Sequence, residues 1–193
     1  WYGIDTSADG TKVIAADQSG YIYISTDSGA TWNPQTGNGI TYTGWYAAVD
    51  VTPDGTKFAA ASASGYIYYS SNGGTSWTQL TNAGSRNWYG IVLSDDGVNM
   101  TASSDGVFTS TDSGANWLRR SGPVGQWLDV ATSSDGQKIL STCNGCIPQL
   151  SSNGGVSWTA LNDLGPLGWR SFTVSPDGMH LGAASPDGPI FTS

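Results

Sequence analysis

The chain contains no glutamate: all fifteen acidic residues are Asp, against 7 Lys and Arg, for a formal charge of −8 over 193 residues. Without Glu and with few Lys, the strong helix formers are scarce, while Gly, Ser, Thr and Tyr favour turns and strands. A helical bundle or an α/β fold is therefore excluded. Basic clusters are also missing. Arg119 and Arg120 form the one adjacent pair, whereas phosphate binding draws its affinity from clustered Lys and Arg that release counterions. Nucleic acid is not an expected partner. No apolar run approaches the ~20 residues of a membrane-spanning helix, so membrane insertion is not expected. The chain opens at Trp1 with no Met and no charged-then-apolar leader, and reads as a mature or trimmed segment. One His and one closely spaced Cys pair do not make a metal-ligand set, and no cofactor is expected. With 38% apolar residues and 11% aromatics, general disorder is excluded as well.

What is present is repetition. The nine Trp fall into two series, Trp1, Trp45, Trp88, Trp127, Trp169 and Trp32, Trp77, Trp117, Trp158, each recurring at about 40–45 residues. Every unit opens with Trp and an apolar stretch, as in Trp1-Tyr-Gly-Ile and Trp88-Tyr-Gly-Ile. An Asp-Gly turn follows at Asp9, Asp54, Asp96, Asp135 and Asp177. A short strand leads to a second tight turn at Ser19-Gly20, Ser64-Gly65, Asp105-Gly106, Asn144-Gly145 and Asp187-Gly188, where Gly supplies the positive φ of a two-residue hairpin. A third strand alternates strictly, as in Tyr21-Ile-Tyr-Ile, the period of a half-buried strand. Three strands plus a Trp-led fourth, repeated, predict an all-β fold. The expectation is a β-propeller of four-stranded antiparallel blades, in one domain over 1–193, with units near 1–44, 45–87, 88–126, 127–168 and 169–193. The fifth unit is incomplete, because Ser193 aligns with the first residue of a closing motif that the sequence does not continue. Either the chain is a piece of a longer repeat protein, or another copy completes the last blade through its open edge.

The closing motif, Ser-x-Asp-x-Gly-x-x-Trp, resembles the Asp-box or BNR repeat of sialidases, sortilin-type receptors, photosystem II assembly-factor-like propellers and some lectins. It occurs as Ser25, Asp27, Gly29, Trp32; as Ser70, Asn72, Gly74, Trp77; as Ser110, Asp112, Gly114, Trp117; and as Ser151, Asn153, Gly155, Trp158. Asp and Asn alternate, which points to duplication of a two-blade unit. An Asp or Asn side chain accepts main-chain N–H groups within its own turn, so these residues are read as structural. The resemblance implies that the boxes lie at the rim, away from a ligand face. It does not transfer a sialidase activity: that catalytic set needs an arginine triad, a Tyr nucleophile and a Glu, and this chain has no Glu.

Cys143-Asn-Gly-Cys146 falls at a hairpin turn. A local disulfide fits best, since a redox pair would open a helix and zinc would need two further ligands; a disulfide would indicate an oxidising compartment. Asn99-Met-Thr101 is an N-glycosylation sequon on an early second strand expected to be exposed. His180 is isolated and solvent-facing. The Asp-Gly turns, set on one face of a ring, form a crown that is read as turn chemistry rather than as a cation site. Trp1, Tyr2, Trp45, Tyr46, Trp88, Tyr89, Trp127 and Trp169 either wedge between blades, the preferred reading, or face a ligand at the ring mouth. The expected function is a non-catalytic, extracellular or cell-surface module for structural assembly or interaction, self-associating as in a filament or binding other surface proteins. A lectin-like propeller that binds glycans is the alternative, and a glycoside hydrolase the third.

Overall fold

A computed structural model describes residues 1–17, 20–40, 46–120, 127–143, 145–186, 188 and 190–193, with the main chain alone at 46, 47, 127 and 128. It forms five antiparallel sheets arranged as the blades of a β-propeller. The first blade is β1 (Gly3–Thr6), β2 (Val13–Ala16), β3 (Ile22–Ser25) and β4 (Asn33–Pro34); the second is β5 (Tyr46–Val51), β6 (Phe58–Gly65), β7 (Ile67–Ser70) and β8 (Thr78–Leu80). A short strand, β9 (Arg86–Asn87), pairs with the far end of β6. The third blade is β10 (Gly90–Leu93), β11 (Met100–Ser103), β12 (Val107–Ser110) and β13 (Leu118–Arg120); the fourth is β14 (Trp127–Thr132), β15 (Ile139–Cys143), β16 (Gln149–Ser151) and β17 (Thr159–Ala160). The fifth has three strands, β18 (Ser171–Val174), β19 (Leu181–Ala184) and β20 (Phe191–Thr192). Within each blade the strands pair in chain order, as hairpins closed by tight turns require.

Small residues set the close approach of the sheets. The second strands, Val13-Ile-Ala-Ala and Phe58-Ala-Ala-Ala, are buried throughout, as expected for strands covered on both faces. Each inner strand packs on the next, β1 on β5, β5 on β10, β10 on β14 and β14 on β18. Between the sheets lie apolar clusters that draw on two blades at once. Ala59, Ile67 and Leu80 of the second blade, for example, meet Ile91, Met100 and Phe108 of the third. Burying side chains of this size contributes about 1.5–3 kcal/mol each, and most of that burial exists only when blades are neighbours.

The blades are of two kinds. In the second and fourth, the register between first and second strands shifts, between Tyr46 and Ala48 and between Trp127 and Asp129. The same two blades end in short 3₁₀ segments, Thr81–Ala83 and Asn162–Leu164. The first, third and fifth pair without such a shift. This alternation matches the Asp and Asn alternation of the boxes, and neither the bulges nor the 3₁₀ segments are visible in the repeat spacing.

Candidate functional site

The inner strands of all five blades converge on a cavity of about 430 Å³ whose wall includes Tyr2, Asp5, Asp50, Tyr89, Asp129 and Ser171. Three carboxylates in this wall were not singled out by the sequence, and each joins two blades. Asp5 Oδ2 accepts the Val51 N–H at 2.8 Å, Asp50 Oδ2 accepts Leu93 N–H at 2.6 Å, and Asp129 Oδ2 accepts Phe172 N–H at 2.8 Å. Asp129 Oδ1 also accepts its neighbour Val130 N–H at 2.9 Å. Burial pushes Asp129 up to about 6 against these two bonds. Burial, followed by the charge of the adjacent Asp5, pushes Asp50 well above the ordinary carboxylate range, and the two carboxyls are hydrogen-bonded to each other. Chemically this is a pair of adjacent carboxyl groups, each held by a main-chain donor of the following blade. A glycosidase pair differs, since there both carboxyls must be free to reach the scissile bond.

The boxes are built alike. The Ser hydroxyl of each donates to its Asp or Asn Oδ1 and accepts the N–H of the box Gly. The distances are 2.8 and 2.8 Å for Ser25, 3.0 and 2.9 Å for Ser70, 2.8 and 2.9 Å for Ser110, and 3.0 and 2.9 Å for Ser151. The Asp or Asn Oδ1 then accepts the N–H four residues on, at Thr31, Ser76, Asn116 and Ser157. The Asp/Asn exchange is matched at that same residue. Thr31 and Asn116 donate their side chains to Asp27 and Asp112, whereas Asn72 and Asn153 donate theirs to Ser76 and Ser157. Trp32, Trp117 and Trp158 fold back to donate the indole N–H to Gly29, Gly114 and Gly155 carbonyls, while Trp77 reaches Gln35 of the preceding blade. The Thr31 hydroxyl and N–H, with Ser25, hold Asp27 down to about 2. Asp112 is lowered in the same way, chiefly by Asn116.

The Asp-Gly turns repeat a second pattern. The carboxylates of Asp9, Asp54, Asp96, Asp135 and Asp177 each accept a Ser or Thr hydroxyl two residues before and an N–H two residues after. All five are thereby lowered, Asp9 to about 2 with the Ser7 hydroxyl as the main cause.

The other candidates separate clearly. Cys143 and Cys146 form a disulfide with Cα atoms 5.1 Å apart, and Cys143 is buried against Val107 and Val130. Trp88 and Trp169 are fully buried between blades, over Phe108 and Phe191, and so cannot stack on a ligand. Trp1 and Tyr2 are exposed and Tyr89 is half-buried. Trp45, Ser19, Asn144 and Asp187 lie outside the described residues, as do the side chains of Tyr46 and Trp127. Asn99 departs from the exposed position expected of it. It is half-buried, and its Nδ2 donates at 2.8 Å to the Asp135 carbonyl of the next blade. His180 is exposed, with Nδ1 3.0 Å from the Ser193 carbonyl oxygen. Arg119 and Arg120 lie in the outer strand β13; the first pairs with Asp105 at 3.7 Å, and the second donates to the Thr109 hydroxyl.

No family model matches the chain, and no curated protein matches it in sequence. Solved structures match its fold. YCF48 bound to D1 peptide is 17% identical with a TM-score of 0.74, covering 100% of this chain and 64% of that one. The GH74 enzyme of Niastella koreensis is 22% identical at TM-score 0.72, covering 99% of this chain and 29% of that one. A nidogen/laminin complex is 15% identical at TM-score 0.74, covering 95% of this chain and 71% of that one. A GH74 enzyme and proteins solved with a bound peptide or protein thus share the propeller architecture, which leaves activity to be argued from the site.

Proposed function

We propose that the protein is a non-catalytic propeller module that binds protein segments at the mouth of its central cavity. The observation that carries this reading is the commitment of the cavity carboxylates. Asp5, Asp50 and Asp129 each hold a main-chain N–H of the following blade, so freeing one for chemistry would loosen a blade junction. What the mouth offers a partner instead is the rings of Tyr2 and Tyr89, suited to contact with a peptide. Two structural neighbours contain bound peptide or protein, YCF48 with a D1 peptide and nidogen with laminin. An extracellular setting is the narrower reading, supported by the disulfide. Assembly with like copies, as in a filament, is supported by the outer edge of β20, which no further strand of the described chain covers.

The test sets binding against hydrolysis. A phage-displayed peptide library panned on the protein should yield binders that are lost in Tyr89→Ala and kept in Asp105→Ala. Xyloglucan should release no reducing ends. Turnover of xyloglucan that disappears in Asp50→Asn but survives in Asp9→Asn would overturn the reading and make the carboxyl pair catalytic. Saturable glycan binding on an array, with no peptide binding, would favour a lectin.

A further inference from the structure

We propose that the outward face of the first blade is an inter-blade face whose occupant is a further blade of the Asn-box kind, carried by the same repeat array. This rests on the repeat geometry alone and stands or falls independently of the binding reading above.

The position five residues before each Asp-Gly turn shows the asymmetry most clearly. Val49, Ile91, Val130 and Phe172 are all buried there, under the preceding blade, whereas Ile4 is 69% exposed. The leading Trp behaves alike. Trp88 and Trp169 are 0% exposed, but Trp1 is 75% exposed, although it makes the same ring contact within its own blade, with Tyr23 at 5.3 Å. With Trp32, these side chains line an apolar hollow of about 630 Å³.

The glycines record the same contrast. A Cβ on the box residues Gly74, Gly114 or Gly155 would run into Ile24, Leu80 or Arg120 of the blade before, while at Gly29 it would meet only its own Trp32. At the Asp-Gly turns, Gly55, Gly97, Gly136 and Gly178 lie under Lys12, Lys57, Asn99 and Lys138 of the preceding blade; over Gly10 there is nothing within 4 Å among the described residues. Three of these covering residues also donate to the turn beneath them, Lys57 to the Asp96 carbonyl, Asn99 to Asp135 and Lys138 to Gly178. Among the described residues, these contacts that join one blade to the one before it have counterparts on the first blade that nothing covers.

The kind of occupant follows from the alternation. Trp88 is roofed by Leu80 and Ala83, and Trp169 by Leu161 and Leu164, all from the 3₁₀ ends of the second and fourth blades. Those ends share the pattern Thr-x-Leu-x-x-Ala/Leu-Gly at Thr78–Gly84 and Thr159–Gly165, and units one and three read differently at that point. The first blade matches the third in its unbulged pairing and Asp-type box, so the blade it expects is of the second and fourth kind. Among the described residues, the fifth blade of a second copy would present three strands, β18, β19 and β20, without the leucine-bearing 3₁₀ segment that roofs Trp88 and Trp169.

The test compares the chain with two versions extended before Trp1, one by a copy of residues 127–168 and one by a copy of 45–87. In the unextended protein, Trp1→Phe should reduce the acrylamide-quenchable emission, and Ile4→Ala should leave the Tm unchanged while Ile91→Ala lowers it by several °C. In either extended protein, Trp1→Phe should no longer change quenching, and Ile4→Ala should lower the Tm as much as Ile91→Ala does. Extension by residues 88–126 should protect Trp1 less. Failure of both Asn-box extensions to protect Trp1, whether the added unit misfolds or leaves the face open, would overturn the proposal. So would an unextended chain that sediments as a dimer with Trp1 already shielded, since a second copy would then be the occupant.

Discussion

Stability should fall as pH rises from weakly acidic to neutral, with Asp129 as a principal cause. Burial raises its folded pKa to about 6 from 3.8, so the native state favours the protonated form. Its stabilising contribution is complete below about pH 4 and is lost as pH rises through 6. A shift of about two units at about 1.4 kcal/mol each gives about 3 kcal/mol, and partial solvent access at the cavity wall reduces this to about 1–3 kcal/mol. Asp50 is shifted in the same direction by burial and by Asp5. The exposed turn and box aspartates work oppositely. Asp9 and Asp27, held at about 2 by their own hydroxyl and N–H donors, contribute stability above about pH 4 that disappears as pH falls through 2. The two limbs place the optimum near pH 4–5. Urea unfolding at intervals between about pH 4.5 and 7.5 measures it. Asp129→Asn should flatten the slope on the neutral side. It should also lower stability at every pH, because its amide would face either the Val130 or the Phe172 N–H. A free energy that is level or rising from pH 5 to 7.5, or an unchanged slope in Asp129→Asn, would refute the assignment.

Three further outcomes follow from the packing. Ser70→Ala leaves the buried Gly74 N–H without its acceptor and should cost about 1–3 kcal/mol in urea unfolding. Reducing Cys143–Cys146, which closes a loop of only four residues, should cost no more than about 2 kcal/mol, read as the difference between unfolding curves with and without dithiothreitol. Trp88→Ala should destabilise by about 3–5 kcal/mol, clearly more than Trp32→Ala, because Trp88 is enclosed between blades and Trp32 lies at an open face.

The blades were legible in the sequence because each strand is short, each turn is marked by Asp-Gly or a box, and the Trp spacing makes the period unmistakable. The box chemistry was legible for the same reason, since its bonds are local: Ser25, Asp27 and Thr31 lie within one turn. The cavity carboxylates were not. Asp5, Asp50 and Asp129 bond to residues more than forty positions away, and a lone Asp in a strand carries no motif. A signal did exist, since Asp5 and Asp50 both stand four residues before their Asp-Gly turn, in strands otherwise apolar or small. Asn99 misled because its tripeptide says nothing of the neighbouring blade, whose Asp135 carbonyl occupies its amide. The leading Trp residues look equivalent in sequence, yet Trp1 and Trp88 differ completely in environment, because what covers a Trp belongs to another unit.

The pairing of bulged blades with unbulged ones restricts how such a protein can change its length. Loss or gain of one unit would set two blades of the same kind side by side, and a Trp prepared for a leucine-bearing roof would meet a neighbour without one. Removal or insertion of two leaves every junction as it was. Genes built on this pattern should therefore grow and shrink by even numbers of units, and chimeras cut at the same phase of the alternation should tolerate exchange best.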